Sequence, residues 1–445
     1  MSENDLRFNR SGTKRPSHGN RTGVIGWRGH WAAITALLLG YSGYFKGLPG
    51  LSRTPVDLTL LGALLGIGVV VIGALTGRID WQVVRPVMLV WAAFVPGLVS
   101  MPFTAAAEGK AELLFTVTLL CALIPATFTL SSLRIWVSGQ IALAAAMIFV
   151  LASGRTSDES LAAGRLITEG VTTVSSSRVV AGGVLIAVLV GVSRYRYAIV
   201  CGVFALVGVA TLLAVGSRGP VASLLLALTV VALVSAARHG VKVVRALAVT
   251  ALVASVVFYA ANSRSFASQR IGSFLEGTAS DRGRSLLYEI SLSEIQRNPF
   301  GIGWGAFGDL PRAMFYRDAN GVAYSHNMFL EAAVEGGLIA AVVLAIFTIA
   351  SLSRLMSAAD TLLGQVLLGS ALYWVLVAQT SSDLNGNRLT WIALSIGMMS
   401  LLRVSHPGLG SSPGRGRGRS GSVSGREPHS NRGEIAQPNG PKSDC

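Results

Sequence analysis

Apolar stretches alternate with short polar segments along most of this chain. Most stretches approach the roughly 20 residues that a helix needs to cross a bilayer. The pattern predicts twelve transmembrane helices: His30–Phe45, Asp57–Thr76, Val83–Ser100, Ala111–Leu130, Leu133–Ala152, Val179–Ser193, Tyr197–Val215, Gly219–Ala237, Val243–Ala261, Gly337–Ser353, Leu362–Ser382 and Leu389–Leu402. The first, sixth and last are short. An even number of crossings puts both termini on one side. The alternation breaks once, from about Ser263 to Glu335, where a long polar loop separates the ninth and tenth helices.

Composition sharpens this reading. Of 445 residues, 51% are hydrophobic and only 13% charged, against about 25% charged in soluble domains. Backbone polar groups in lipid need internal partners, so the expected fold is an all-α polytopic integral membrane protein. The 51 glycines suit close helix approach. With the N-terminus taken as cytoplasmic, the inner segments hold 22 of the 37 Lys and Arg but 7 of the 22 acids. The whole positive excess is then inside, as the positive-inside rule requires. The pI near 10.4 is thereby explained by tails and short loops that meet anionic lipid, and no nucleic-acid partner is called for.

Residues 1–29 and 404–445 read as basic, disordered cytoplasmic tails, the second rich in Gly, Ser and Arg. The basic segment before the first apolar run is long and polar, so that run reads as an anchor rather than a cleaved leader. Cys121 and Cys201 lie within apolar stretches, Cys445 is not in a prenylation context, and no CxxC spacing occurs.

Four outer segments carry candidate chemistry. Gly216-Ser217-Arg218-Gly219 puts an arginine at the bilayer edge, where it either anchors the helix or faces a lipid diphosphate. The stretch Asp281-Arg282-Gly283-Arg284, running on to Asn298, reads as an amphipathic helix capped by Ser280 or Asp281. Its Arg284, Tyr288, Ser291 and Ile295 share one face. It is either a surface helix or a mount from which Arg284 grips phosphate with its planar fork. Gly301, Gly303 and Gly305 lack the Lys-Ser/Thr of a P-loop and the preceding strand of a dinucleotide site. They are expected to make a tight turn shaping the site floor rather than to touch phosphate.

The fourth segment, Ser325-His326-Asn327, holds the one histidine placed on the outer side. A lone histidine is usually structural, but this one lies beside the arginines at the membrane mouth and titrates near neutrality. Asn327 is a helix cap by type. Glu331 and Glu335, one and two turns on, either tune the imidazole or solvate the helix start. Ser382–Arg388 reads equally as site contacts or as a polar turn. The outer face has no DxD, HExxH, second histidine or GxSxG. A transferase acting there needs a donor with its own leaving group, neutralised by arginine rather than metal.

The series Gly-Arg284-x-x-x-Tyr288, Asn298-Pro299-Phe300-Gly301-Ile302-Gly303-Trp304-Gly305, His326-Asn327-x-Phe329-Leu330-Glu331 and Glu335-Gly336-Gly337-Leu338 resembles the central region of the O-antigen ligase and O-antigen polymerase family. Tyr288 stands where that pattern commonly has Trp. Motif resemblance covers about Gly216 to Leu338, within a ligase-like core over about 179–353. It implies a metal-independent, inverting glycosyltransferase of type C architecture, with no cofactor. The implied donor is an undecaprenyl-diphosphate-linked glycan at the outer leaflet of a bacterial plasma membrane, and the acceptor a glycan or a lipid. Membrane lipids and other polysaccharide-assembly proteins are the implied partners. The resemblance implies that Arg218 and Arg284 bind the diphosphate, with Arg282 as helper, and that His326, the catalytic residue, acts as general base on the acceptor hydroxyl or orients it. Tyr288, the three glycines, Asn327 and Glu331 would shape the site.

Three functions remain open on sequence: a polysaccharide polymerase, a ligase moving a finished glycan to a lipid, wall or protein acceptor, and a small-solute transporter. A transporter would place ionisable groups mid-span or break helices at the midplane. The apolar stretches hold few charges, which favours an enzyme, and the reading leans to polymerase.

Overall fold

A computed structural model describes residues 22–45, 48, 57–153, 172–239, 279–316 and 323–403. Its helices are α1 (Thr22–Phe45), α2 (Leu58–Leu75), α3 (Trp81–Val99), α4 (Ala105–Thr127), α5 (Leu130–Ser153), α6 (Thr173–Ser193), α7 (Ala198–Val215), α8 (Arg218–His239), α9 (Ala279–Arg297), α10 (Met328–Gly336), α11 (Leu338–Ala358), α12 (Leu362–Val377) and α13 (Arg388–Gly397). Eight of them, α2 to α8 and α11, are long and apolar enough to cross a membrane, and α12 is a shorter apolar helix. The protein is a multi-pass membrane protein.

Side-chain caps start the helices where the sequence changes from polar to apolar. Asp57 accepts from Thr59 N at 2.7 Å, Asp80 from Gln82 N at 2.9 Å and Thr172 from Ser175 N at 3.1 Å. Each satisfies an amide that the first helical turn leaves without a carbonyl. α6 forms the centre, buried over 78% of its span and packed on α5, α7, α8 and α12. α2 and α7 are buried over only 17% and 22%, so their apolar faces meet lipid. Small residues set the close approaches: Gly183 lies against Ala144, Gly208 against Val184 and Gly139 against Leu37.

Alternating crossings sort the connections onto two ends. At one end Ser132 Oγ donates to Gly29 O at 2.7 Å, Ser400 N to Asp80 Oδ2 at 2.6 Å, and Arg238 pairs with Asp360 at 2.9 Å. At the other end Arg388 Nη1 donates to Ser42 Oγ at 2.7 Å, Asn385 Nδ2 to Lys110 O at 3.0 Å and Trp304 N to Gly97 O at 3.1 Å. The residues singled out for chemistry belong to this second end.

Several sequence expectations need correction. α4 opens at Ala105, not Ala111, because Thr104 caps it through Ala107 N at 3.3 Å. This draws Lys110 into the span. α12 stops at Val377 rather than Ser382, and turns fill the interval before α13. α9 opens at Ala279, so Ser280 and Asp281 lie within its first turn and do not cap it. α1 reaches back to Thr22, into the segment read as tail. The spans are also less free of charge than expected, since Lys110 and Arg178 are both buried within them. The stretch Val243–Ala261, residues 263–278 and the C-terminal tail lie outside the described residues.

Candidate functional site

Three motif segments meet at one turn, Ala378-Gln379-Thr380, which follows α12. The Arg218 motif reaches it through Gly219, where an added Cβ would lie 3.0 Å from Thr380 Oγ1. The Arg284 motif reaches it through Tyr288, whose hydroxyl donates to Gln379 O at 2.9 Å. The His326 motif reaches it through Met328 N, which donates to Ala378 O at 3.1 Å. Three consecutive residues thus gather segments from α8, α9 and α10.

Arg218 and Arg284 are half-buried and Arg282 is exposed. Tyr288 is one turn from Arg284 on α9. Burial pushes its phenol above the ordinary value, and the Arg284 charge works the other way. α9 seats on the site through Leu287, Ile290 and Ser291, which are buried, and Leu287 and Ile290 join Phe307, Ala323 and Val334 in a small apolar cluster.

His326 has φ +56°, a left-handed conformation uncommon for a residue other than glycine. Its ring lies 4.4 Å from that of Tyr324. The next residue, Asn327, turns the chain into α10, accepting from Phe329 N at 3.0 Å and Leu330 N at 3.1 Å. The histidine is therefore fixed at the entrance of a short, almost wholly buried helix. Backbone conformations of this kind gather at functional sites because the surroundings must hold them.

The three glycines make a different contact. Gly301, Gly303 and Gly305 have φ of +90°, +98° and +80°. An added Cβ at Gly301 would meet Glu335 O at 2.6 Å, at Gly303 the Ser100 carbonyl, and at Gly305 the Ala107 Cα. Only a residue without Cβ fits both the φ and the space. Between them Trp304 is fully buried, its Nε1 donating to Phe94 O at 2.9 Å. Ile302 N and Gly303 N donate to Val334 O and Glu335 O at 2.8 and 3.0 Å. The turn ties α10 to the ends of α3 and α4.

Glu331 is buried rather than solvating the helix start. Its Oε1 lies 2.6 Å from Lys110 Nζ, and its Oε2 accepts from Leu384 N at 3.0 Å. Glu335 Oε2 lies 2.6 Å from the same ammonium. Burial pushes the Glu331 carboxyl up to about 8; Lys110 opposes this, and Asp383 and Glu335 add to it.

Sequence reasoning missed Lys110, Arg178 and the Ala378–Thr380 turn. Lys110 had a signal: two glutamates four residues apart in a mostly apolar run need a buried cation. Arg178 is 2% exposed on α6, and its Nε and Nη2 find no hydrogen-bond partner among the described residues. Tyr373 OH donates to its carbonyl at 2.8 Å, which sets Arg178 beside α12, five residues before Ala378. Both buried cations lie within two turns of their helix starts, at the end where the motifs gather.

The fold defines a multi-pass membrane protein, and the polar segments gather as a candidate site at one end of the bundle. Residues 203–345 match the family model described as O-antigen ligase, so this part of the chain carries an O-antigen ligase domain. The match supports a membrane enzyme of ligase or polymerase type. The matched region contains Arg218, Arg284, His326, Glu331 and Glu335. No curated protein matches the chain.

Proposed function

We propose that this protein is a metal-independent, inverting glycosyltransferase that polymerises a surface or exopolysaccharide from undecaprenyl-diphosphate-linked units. The observation that carries the reading is the meeting of the Arg218, Arg284 and His326 segments on Ala378-Gln379-Thr380. In this proposal the chain spans a bacterial plasma membrane twelve times with both termini cytoplasmic; that turn would then lie at the outer leaflet, where such a donor presents its diphosphate.

In the reaction the acceptor hydroxyl oxygen bonds to the anomeric carbon as the bond from that carbon to the diphosphate oxygen breaks. His326 takes the hydroxyl proton, and the lipid diphosphate leaves with the bonding electron pair. Negative charge on the diphosphate grows as the bond breaks. Guanidiniums held in a partly dry site stabilise it more in the transition state than in the ground state, which lowers the barrier. Arg218 and Arg284 take this role, with Arg282 at the exposed margin. The buried guanidinium of Arg178, whose Nε and Nη2 find no hydrogen-bond partner among the described residues, is a further cation that an anionic donor would draw on. A positioned base contributes about 10²–10⁴-fold.

The test is the lipid-linked and surface glycan profile of a deletion strain carrying wild type or His326→Ala. Single repeat units accumulating on the carrier lipid in the mutant support a polymerase. Long lipid-linked chains that never reach an acceptor indicate a ligase instead. A profile equal to wild type in the His326→Ala strain overturns the assigned base.

A further inference from the structure

The helix that opens just after His326 is held by a buried ion cluster. Glu331 and Glu335 stand four residues apart on one face of α10. One ammonium, Lys110 Nζ, lies 2.6 Å from a carboxylate oxygen of each. All three side chains are almost solvent-free. Lys110 is the single lysine among the described residues.

The cluster ties four segments together. α4 supplies Lys110, and its position is set by Asn385 Nδ2 on Lys110 O at 3.0 Å and by Ala107 beneath Gly305. The last turn reaches Glu331 through Leu384 N, and the glycine turn reaches Glu335 through Phe307 N at 3.4 Å. An apolar contact could hold α10 at lower desolvation cost. An ion pair shared by two carboxylates does something an apolar contact does not: it is satisfied at only one register of α10 against α4. Fixing register is the best-attested use of buried polar groups.

We propose that Lys110 is the positioning residue for His326, clamping α10 through Glu331 and Glu335 so that the imidazole is presented at the Ala378–Thr380 turn. The catalytic part of this inference rests on His326 being the base. The clamp itself does not. A slip of α10 moves Asn327 and Met328 together, and with them the Met328 bond to Ala378 and the left-handed turn at His326. The charges bearing on Glu331 are Lys110, Asp383 and Glu335. One ammonium faces more carboxylates than it can balance, so the clamp also responds to proton uptake.

The experiment uses the full chain in proteoliposomes. Diethyl pyrocarbonate is the probe, and its modification of His326 is followed by peptide mass spectrometry across the neutral pH range. In parallel, cells carrying each variant are profiled for glycan. Lys110→Met is expected to shift the pH midpoint of His326 modification and to cut transfer by about 10²-fold, the cost of misplacing a reacting group by about an ångström. Lys110→Arg is expected to restore both in large part, because a guanidinium also bridges two carboxylates. Should Lys110→Met not accumulate, Glu331→Gln keeps a one-to-one Lys110–Glu335 pair and is expected to give an intermediate midpoint. A His326 profile unmoved in the variant that accumulates overturns the proposal, whatever happens to transfer. A moved profile, with His326→Ala still transferring normally, upholds the clamp and removes the base.

Discussion

Replacing Trp304 with Phe should loosen the outer turn from the helix bundle. The indole is wholly buried between two glycines: a Cβ added at Gly97 would lie 2.5 Å from Nε1, and one at Gly336 2.8 Å from Cη2. Its Nε1 donates to Phe94 O at 2.9 Å, and its ring packs on Phe94 at 5.1 Å between centroids. Phenylalanine cannot donate, so the buried Phe94 carbonyl loses this partner at a cost of about 1–3 kcal/mol. The smaller ring also leaves roughly 40 Å³ unfilled, worth about 1 kcal/mol at the usual cavity coefficient. The expected loss is therefore about 2–4 kcal/mol in total.

The loss should also reach the site, because Gly303 N donates to Glu335 O one residue before Trp304. The assay is a fluorescence-detected melt of the full chain in nanodiscs, paired with the glycan profile of the same variant. A clearly lower melting temperature and reduced transfer are expected. Melting and transfer both equal to wild type would refute the idea that Trp304 anchors the turn.

Arg284→Lys should lose most transfer while the protein still reaches the membrane, because an ammonium lacks the fork of donors; a normal glycan profile would remove its phosphate role. Arg178→Met should raise the melting temperature and depress transfer, since a buried cation with two nitrogens lacking hydrogen-bond partners among the described residues is replaced by an apolar side chain of similar length; a less stable variant would show that Arg178 serves the fold. Glu331 gives a pH dependence of defined sign. Its carboxyl is raised from an ordinary 4.5 to about 8, so the folded state holds more protons across that window. Stability falls as pH rises through it, by up to about 1.4 kcal/mol per unit, and levels off above the folded value. Glu331→Gln should flatten that slope in melts taken across the window. Gly303→Ala should destabilise strongly, as its Cβ would be forced into the Ser100 carbonyl at a positive φ.

The order of the long apolar helices was legible in the sequence, as were the segments proposed to carry the chemistry. Hydropathy alone brackets α2, α5, α7, α8 and α11, because lipid demands long apolar helices whatever they pack against. Arg218, Arg284 and His326 stood out because a polar group at the edge of an apolar span needs a reason. Asn327 could be read as a cap because a cap is a local interaction between neighbours in sequence.

The rest depended on contacts between residues far apart in the chain. Lys110 looked like loop until Thr104 extended α4 around it, and Glu331 looked solvated until Lys110 and Leu384 enclosed it. The Ala378–Thr380 turn carries no signal of its own, since Ala378 and Gln379 act there through backbone carbonyls. Sequence by itself determined which segments cross lipid and which side chains are costly to place there, because both follow from the transfer of single groups between water and hydrocarbon. Only the tertiary structure decided which of those groups share a charge, a turn and a site, because pairing energies depend on separations that no local pattern encodes.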